Sequence, residues 1–457
     1  MIALAELGHD ESSYRALAEG DPILTGSEVE TAVRRSLGAE PKDLFAWFDP
    51  VGVSASIGQV HQARLHDGRM VAVKIRYPDI EETLGLDLRS LGWLTLPFGG
   101  LSRFDAEAYR AEVGAMLRLE LDYREEAASL TKFRALSRGV RGLEVPEVIQ
   151  SLSTSNVLVM TWIEGGGFDT TRGWSLGERV AAARTLVDTF VRGLTEWRIV
   201  HADPHPGNLR FRLTADGPKV GLIDFGCVKE ISPVASASLS DLLRVGLEGR
   251  WDRPPEEFLA RFAALGFGAD LLAPMAHRLG AVARLLVEPF VSREPVDLRQ
   301  AAFGPGMAEV LGDHRFSFRA AGPASLLFVI RAWHGLLTYL RELDAPVAWR
   351  EFVESSVGDR PPAPALLATA TARPPECRSR FLKIRVTENG ACKVELTFPA
   401  HRAADVADLM PEDLGPKLAG AGIEVAGLAR KALATRFEPG DLFRFHEGSK
   451  EIAVWLE

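Results

Sequence analysis

HADPHPGNL, residues 201–209, is the stretch on which the reading of this chain turns. Pro204 and Pro206 have no amide to donate and a fixed φ, and Gly207 interrupts regular structure, so the segment is a loop of set shape. A plain surface turn would account for that composition. It would not account for a carboxylate at Asp203 and an amide at Asn208 placed on either side of the prolines, so the flanking sequence has to decide.

The spacing His201-x-Asp203-x4-Asn208 is that of a kinase catalytic loop, in which the Asp orients or deprotonates the acceptor hydroxyl and the Asn holds magnesium. Downstream, "VGLIDFGCV" ends an apolar, strand-like run in Asp224-Phe225-Gly226, a carboxylate placed to bridge metal and phosphate. Upstream, "MVAVK" closes a β-run at Lys74. The glycine positions of a kinase phosphate loop fall on Val53, Ala55 and Gly58, and only the last is glycine. A loop carrying Cβ atoms at the first two approaches phosphates less closely, so the nucleotide is expected to sit differently from its pose in an ordinary protein kinase.

The fourth signal is helical. Leu119, Tyr123, Leu130 and Phe133 fall on one apolar stripe, and Glu126 lies within it. A buried carboxylate costs several kcal/mol unless paired. Lys74 is the matching cation, as in the lysine–glutamate pair that positions ATP phosphates. Each signal is weak alone; all four in the right order specify a kinase-like fold with ATP and Mg2+.

At 457 residues the chain exceeds one compact domain. Its 46% apolar and 25% charged content is that of a globular protein, and a net charge of −9 speaks against a dedicated nucleic-acid binder. Three scattered cysteines form no zinc or disulfide pattern. The opening "MIALAELGHDESS" is not a secretory signal, and "GPASLLFVIRAWHGLLTYL", broken by Arg331 and His334, reads as a core helix instead of a membrane span. The expected compartment is cytoplasmic.

Boundaries follow composition. An N-lobe with a helical start is expected over 1–163 and a C-lobe over 164–357. Residues 358–379 form a Pro/Ala-rich linker, and 380–457 a small α/β module with hairpins at Asn389-Gly390 and within "DLFRFHEGSKEIAVWLE". A long helix is expected over Ala106–Leu136, and "NVLVMTW" as the strand leading to the inter-lobe hinge. There Met160, Thr161, Trp162 and Ile163 would line an adenine pocket. The fold class is α+β: a two-lobed kinase-like fold with helical insertions plus the C-terminal module.

The quoted motifs, with "SASIGQVHQARLHDGRMVAVKIRYP", "LELDYREEAASLTKFRAL" and "FVIRAWHGLLTYLREL", resemble the UbiB (AarF) family of atypical protein-kinase-like proteins, associated with ubiquinone biosynthesis. The resemblance implies Lys74 and Glu126 as the ion pair and Ala55 in place of a loop glycine, with Ser56 and Gly58 beside it at the nucleotide. It implies Asn208 and Asp224 as metal ligands, Asp203 as the catalytic-loop aspartate, and Glu120 and Asp122 as the family's E-x-D pair. It implies an ATPase or unorthodox kinase acting on a quinone precursor, lipid or protein, with peripheral membrane contact; from the sequence itself no transmembrane segment is expected. The family's K-x-G-Q motif is not found near the start of the sequence, which leaves either a later start or a lost gate. Two other readings stay open: a nucleotide-binding scaffold without turnover, and a small-molecule phosphotransferase sharing the H-x-D-x4-N loop.

Overall fold

The computed structural model describes residues 24–55, 57–78, 121–296, 303–357, 378–379, 381–389, 391–400, 403, 406 and 414–457. The upper lobe opens with helix α1 (Gly26–Leu37), where the Glu28 carboxylate accepts from the Thr25 amide (2.7 Å) and left-handed Gly38 stops the last turn. Strands β1 (Trp47–Phe48), β2 (Val53–Ser54), β3 (Gly58–Arg64) and β4 (Met70–Arg76) follow. The expected Asp-Gly hairpin joins β3 to β4, with Gly68 at φ 91°.

Burial of both faces of β4 divides its residues between two tasks. Val71, Val73 and Ile75 pack under Val29 and Val33 of α1, while Ala72 and Lys74 face the opposite way. Helix α2 (Tyr123–Leu136) lies on that second face and buries Tyr123, Glu126, Leu130 and Phe133 along the expected stripe. The helix does not run unbroken from Ala106. Asp122 is extended (φ −118°, ψ 106°), and its side chain accepts from the Arg124 amide, so the described helix starts after it. Leu119, Glu120 and the rest of the expected first half lie outside the described residues.

Strand β5 (Leu143–Glu144) leaves the upper lobe to pair with β9 below, and β6 (Val157–Thr161) completes the upper sheet, whose order is β1-β3-β4-β6 with β2 on β3. The lower lobe is mainly helical. Helix α3 (Leu176–Arg192) starts in a Ser175/Glu178 capping box and runs through a π turn (Gly193–Trp197) to left-handed Arg198. That sharp stop delivers strand β7 (Ile199–His201) to the cleft, followed by the hairpin of β8 (Leu209–Thr214) and β9 (Gly217–Leu222) and by β10 (Val228–Glu230), which pairs with β7. Helices α4 (Pro233–Glu248), α5 (Pro255–Ala264), α6 (Ala276–Val291), α7 (Leu327–Glu342) and α8 (Arg350–Val357) build the base. The expected core helix is α7, which buries Phe328, Ala332, Leu336 and Leu340. Among the described residues no single helix is long and apolar enough to cross a membrane.

The expected linker falls almost wholly outside the described residues. Beyond it, β11 (Phe381–Glu388), β12 (Ala391–Pro399), helices α9 (Leu414–Gly420) and α10 (Val425–Ala434), β13 (Gly440–Glu447) and β14 (Lys450–Leu456) form an antiparallel sheet of order β12-β11-β14-β13. Asn389 at φ 52° makes the first hairpin turn and Gly448 at φ 61° the second. The sheet is not detached from the lobe. Strand β12 runs beside the turns of Ala269–Met275, and Leu382 and Ile384 join the buried cluster of Leu272 and Met275.

Candidate active site

Residue type and register bring one cation to the floor of the cleft. Lys74 of β4 is buried, and its Nζ donates to Glu126 Oε1 (2.6 Å) from α2 and to Asp224 Oδ2 (3.0 Å) from the turn after β9. Burial works against the Lys74 charge, but the carboxylates of Asp224 and Glu126 overcome it and hold the ammonium above the usual lysine range. Asp224 is also opposed by burial, yet Lys74 and the Gly226 amide, which donates to Oδ1 (3.0 Å), keep its carboxyl below the usual range. Glu126 is pushed up by burial against the pull of Lys74. It accepts a second bond from the Phe225 amide (3.2 Å), so one carboxylate ties α2 to both β4 and the Asp-Phe-Gly turn. Phe225 sits 5.3 Å from Phe133 and edge-on to His201, whose Nε2 bonds the Asp224 carbonyl (2.5 Å).

The proline-rich loop answers to its own geometry. Pro206 starts a single 3-10 turn (Pro206–Asn208), and His205 Nδ1 accepts from the Gly207 amide (3.1 Å). That turn points Asn208 back at Asp203, with Nδ2 donating to Oδ2 (2.6 Å). Pro204 rests on Gly335 of α7, where an added Cβ would overlap the Pro204 ring and stand 2.9 Å from its Cα. From the same helix Arg331 Nη2 donates to Asp203 Oδ1 (2.7 Å), and the Tyr339 hydroxyl donates to the Asp203 (3.4 Å) and His205 (3.3 Å) carbonyls. Both oxygens of Asp203 are thus engaged.

Above the cleft the loop is tight. Val53 pairs with Val60, and the Ala55 amide donates to the Gly58 carbonyl (2.8 Å). Gly58 is obligatory on packing grounds alone, because a Cβ there would overlap the Ile75 carbonyl and reach 2.9 Å from the Tyr123 hydroxyl. Ala55, Ile57, Lys74, Tyr123, Glu126 and Asp224 line a cleft open to solvent, together with Asp203, Gly226 and Cys227.

A family model of the ABC1 atypical kinase-like domain matches residues 17–251. The chain belongs to the ABC1 family. An uncharacterized aarF domain-containing protein kinase of Arabidopsis thaliana, chloroplastic, is 33% identical over 66% of this chain and 41% of its own length. AarF domain-containing protein kinase 1 of Mus musculus is 33% identical over 47% of this chain and 42% of its own. The chain therefore spans less than half the length of these relatives. Among solved structures, the Rv3197–erythromycin complex of Mycobacterium tuberculosis aligns with a TM-score of 0.55 and 26% identity, over 78% of this chain and 90% of that one.

Set against the expectations, the ABC1 site draws Ala55, Lys74, Glu126, Asp203 and Asp224 around one cleft, with Asn208 bonded to Asp203. Ser56 and Glu120 lie outside the described residues. The four hinge residues do not line that cleft. Met160 is buried opposite Ala72, Thr161 Oγ1 accepts from the Glu147 amide, the Trp162 amide donates to the Met70 carbonyl, and Ile163 packs on Gly221. His205 braces its loop as an acceptor, whereas His61 bonds the Asp49 carbonyl on the sheet's outer side. The sequence reading missed Arg331 and Tyr339 as partners of the catalytic loop. Its one available signal was a charged residue inside an otherwise apolar helix.

Proposed function

We propose that this ABC1-family chain binds Mg-ATP in the cleft and cleaves the terminal phosphoanhydride, passing the phosphoryl group to water or to an acceptor hydroxyl. The observation that carries the reading is Lys74 held between Glu126 and Asp224 in the cleft that Asp203 also lines. The donor set suits magnesium, since Asp224 offers a carboxylate and Asn208 spends its amide nitrogen on Asp203, which leaves its carbonyl oxygen, unbonded among the described residues, to meet a hard cation. Bound there, the ion would neutralise charge on the phosphates. Lys74 is fixed to meet a phosphate oxygen without a search through rotamers. Asp203 is oriented by two donors, which suits aligning a nucleophile in a loose phosphoryl-transfer transition state, where strong proton abstraction contributes little.

A place in quinone or lipid metabolism is proposed on the family resemblance. The test is ATP turnover by the purified chain, with and without quinone-like phenols or liposomes. Asp203→Asn should lower turnover by about a hundredfold or more while thermal stabilisation by Mg-ATP persists. Asp224→Asn should remove that stabilisation. Stabilisation without turnover in the wild type would favour the nucleotide-binding scaffold, and stabilisation unchanged in Asp224→Asn would sink the site assignment.

A further inference from the structure

Tyr123, the first residue of α2, is 1% exposed, and among the described residues its hydroxyl has no hydrogen-bond partner. The ring lies beside the Lys74 ammonium, 5.7 Å from Nζ to the ring centroid, and lines the same cleft as Lys74, Glu126 and Asp224. Its hydroxyl reaches up to the underside of the loop at Gly58. Leaving a buried hydroxyl unpaired costs stability, and a phenylalanine would fill the space without that cost. Packing alone does not explain the oxygen.

A second observation comes from the loop. In a glycine-rich phosphate loop the backbone amides approach the phosphates; here the Ala55 amide is spent on the Gly58 carbonyl, and positions 53 and 55 carry side chains. The loop thus offers the cleft one amide fewer, while the Tyr123 hydroxyl is a donor left without a partner among the described residues. Burial raises the Tyr123 phenol above the ordinary tyrosine range, so it stays protonated and able to donate at physiological pH.

We propose that the Tyr123 hydroxyl is a phosphate-binding donor, bonding a non-bridging oxygen of the ATP phosphate chain beside Lys74 and supplying from the helix side a contact that the alanine-bearing loop withholds. This deepens the Mg-ATP reading and rests on it. No bond is made or broken by Tyr123; it binds and positions.

The experiment is calorimetric titration of the full chain, wild type and Tyr123→Phe, with Mg-ATP and with adenosine, alongside thermal unfolding without ligand. The variant should lose roughly tenfold in Mg-ATP affinity, the effect of one hydrogen bond to a charged acceptor. Adenosine affinity should not change, and the ligand-free midpoint should stay level or rise, because an unpaired oxygen has gone. Unchanged Mg-ATP affinity overturns the proposal, as does an equal loss for adenosine, which would mean altered pocket shape. A lower ligand-free midpoint or poor folding also overturns it, by showing that the hydroxyl serves the fold. If the wild type binds no adenine nucleotide, the Mg-ATP reading falls with it; if only the variant fails to differ, that reading stands.

Discussion

At the helix end of the cleft the side chains of Lys74 and Glu126 are 5% and 3% exposed; at the catalytic-loop end those of Arg331 and Asp203 are 41% and 28% exposed. The ion pairs are alike in kind and nearly alike in length, 2.6 and 2.7 Å. What differs is what happens when one partner goes. A charge stranded in the interior has no water to turn to, while one stranded at the surface is rehydrated. The first pair therefore belongs to the architecture of the upper lobe, and the second adjusts the geometry of one carboxylate.

Lys74→Ala tests the buried end and should give the largest effect. It leaves Glu126 buried, and Asp224 half-buried, without their shared cation, and the chain should lose roughly 3–5 kcal/mol in denaturant unfolding. A loss below about 1 kcal/mol would place the pair in the surface class and end the contrast. The same pair carries a pH signature. The folded Lys74 titrates above the ordinary lysine value of 10.5, so its contribution is complete below that pH and lost as pH rises beyond it. The stability gap between wild type and Lys74→Met should be flat from about pH 7 to 9 and narrow above 10.5. A gap that widens there would reverse the sign of the argument.

Gly335→Ala probes the hinge between the two classes and should cost less. Its Cβ would overlap Pro204, forcing α7 away from the catalytic loop and lengthening the contacts from Arg331 and Tyr339. Overpacking of this kind costs about 1–3 kcal/mol. Turnover should fall while Mg-ATP affinity holds, since Lys74 and Glu126 are untouched. Affinity lost in step with turnover would mean that the two ends of the cleft are not independent.

The two ends also differed in how far the sequence disclosed them. Glu126 could be found because a carboxylate on an apolar helical stripe demands a cation, and Lys74 closes the strand that the stripe covers. Asp203, Asn208 and Asp224 were found by spacing within short loops, where sequence distance and spatial distance nearly coincide. Arg331 joins Asp203 across 128 residues of chain, and only the packing of α7 brings them together. Local rules carry no information about such a contact. The break before Tyr123 was hidden by a helical pattern continuing through Asp122, where a capping side chain outcompeted periodicity. The C-terminal hairpins were legible from their turns, but their docking on the helical lobe was not, since it depends on which apolar face finds which.

Arg331→Met should show the smallest change in stability and is the sharpest test of the exposed end. Both partners are reached by water, so their attraction is screened and the fold should lose only about 0–1 kcal/mol. The Asp203 carboxylate keeps Asn208 but loses the donor that fixes its other oxygen, and so samples rotations that misalign the nucleophile. The expected outcome is a severalfold drop in kcat for ATP cleavage with KM for ATP unchanged. Arg331→Lys should fall between wild type and Met, because one donor toward Oδ1 suffices in this geometry. A KM shift as large as the kcat loss would mean that Arg331 touches the nucleotide. A stability loss approaching that of Lys74→Ala would show that α7 is pinned to the loop by this charge and not by the fit of Gly335 against Pro204.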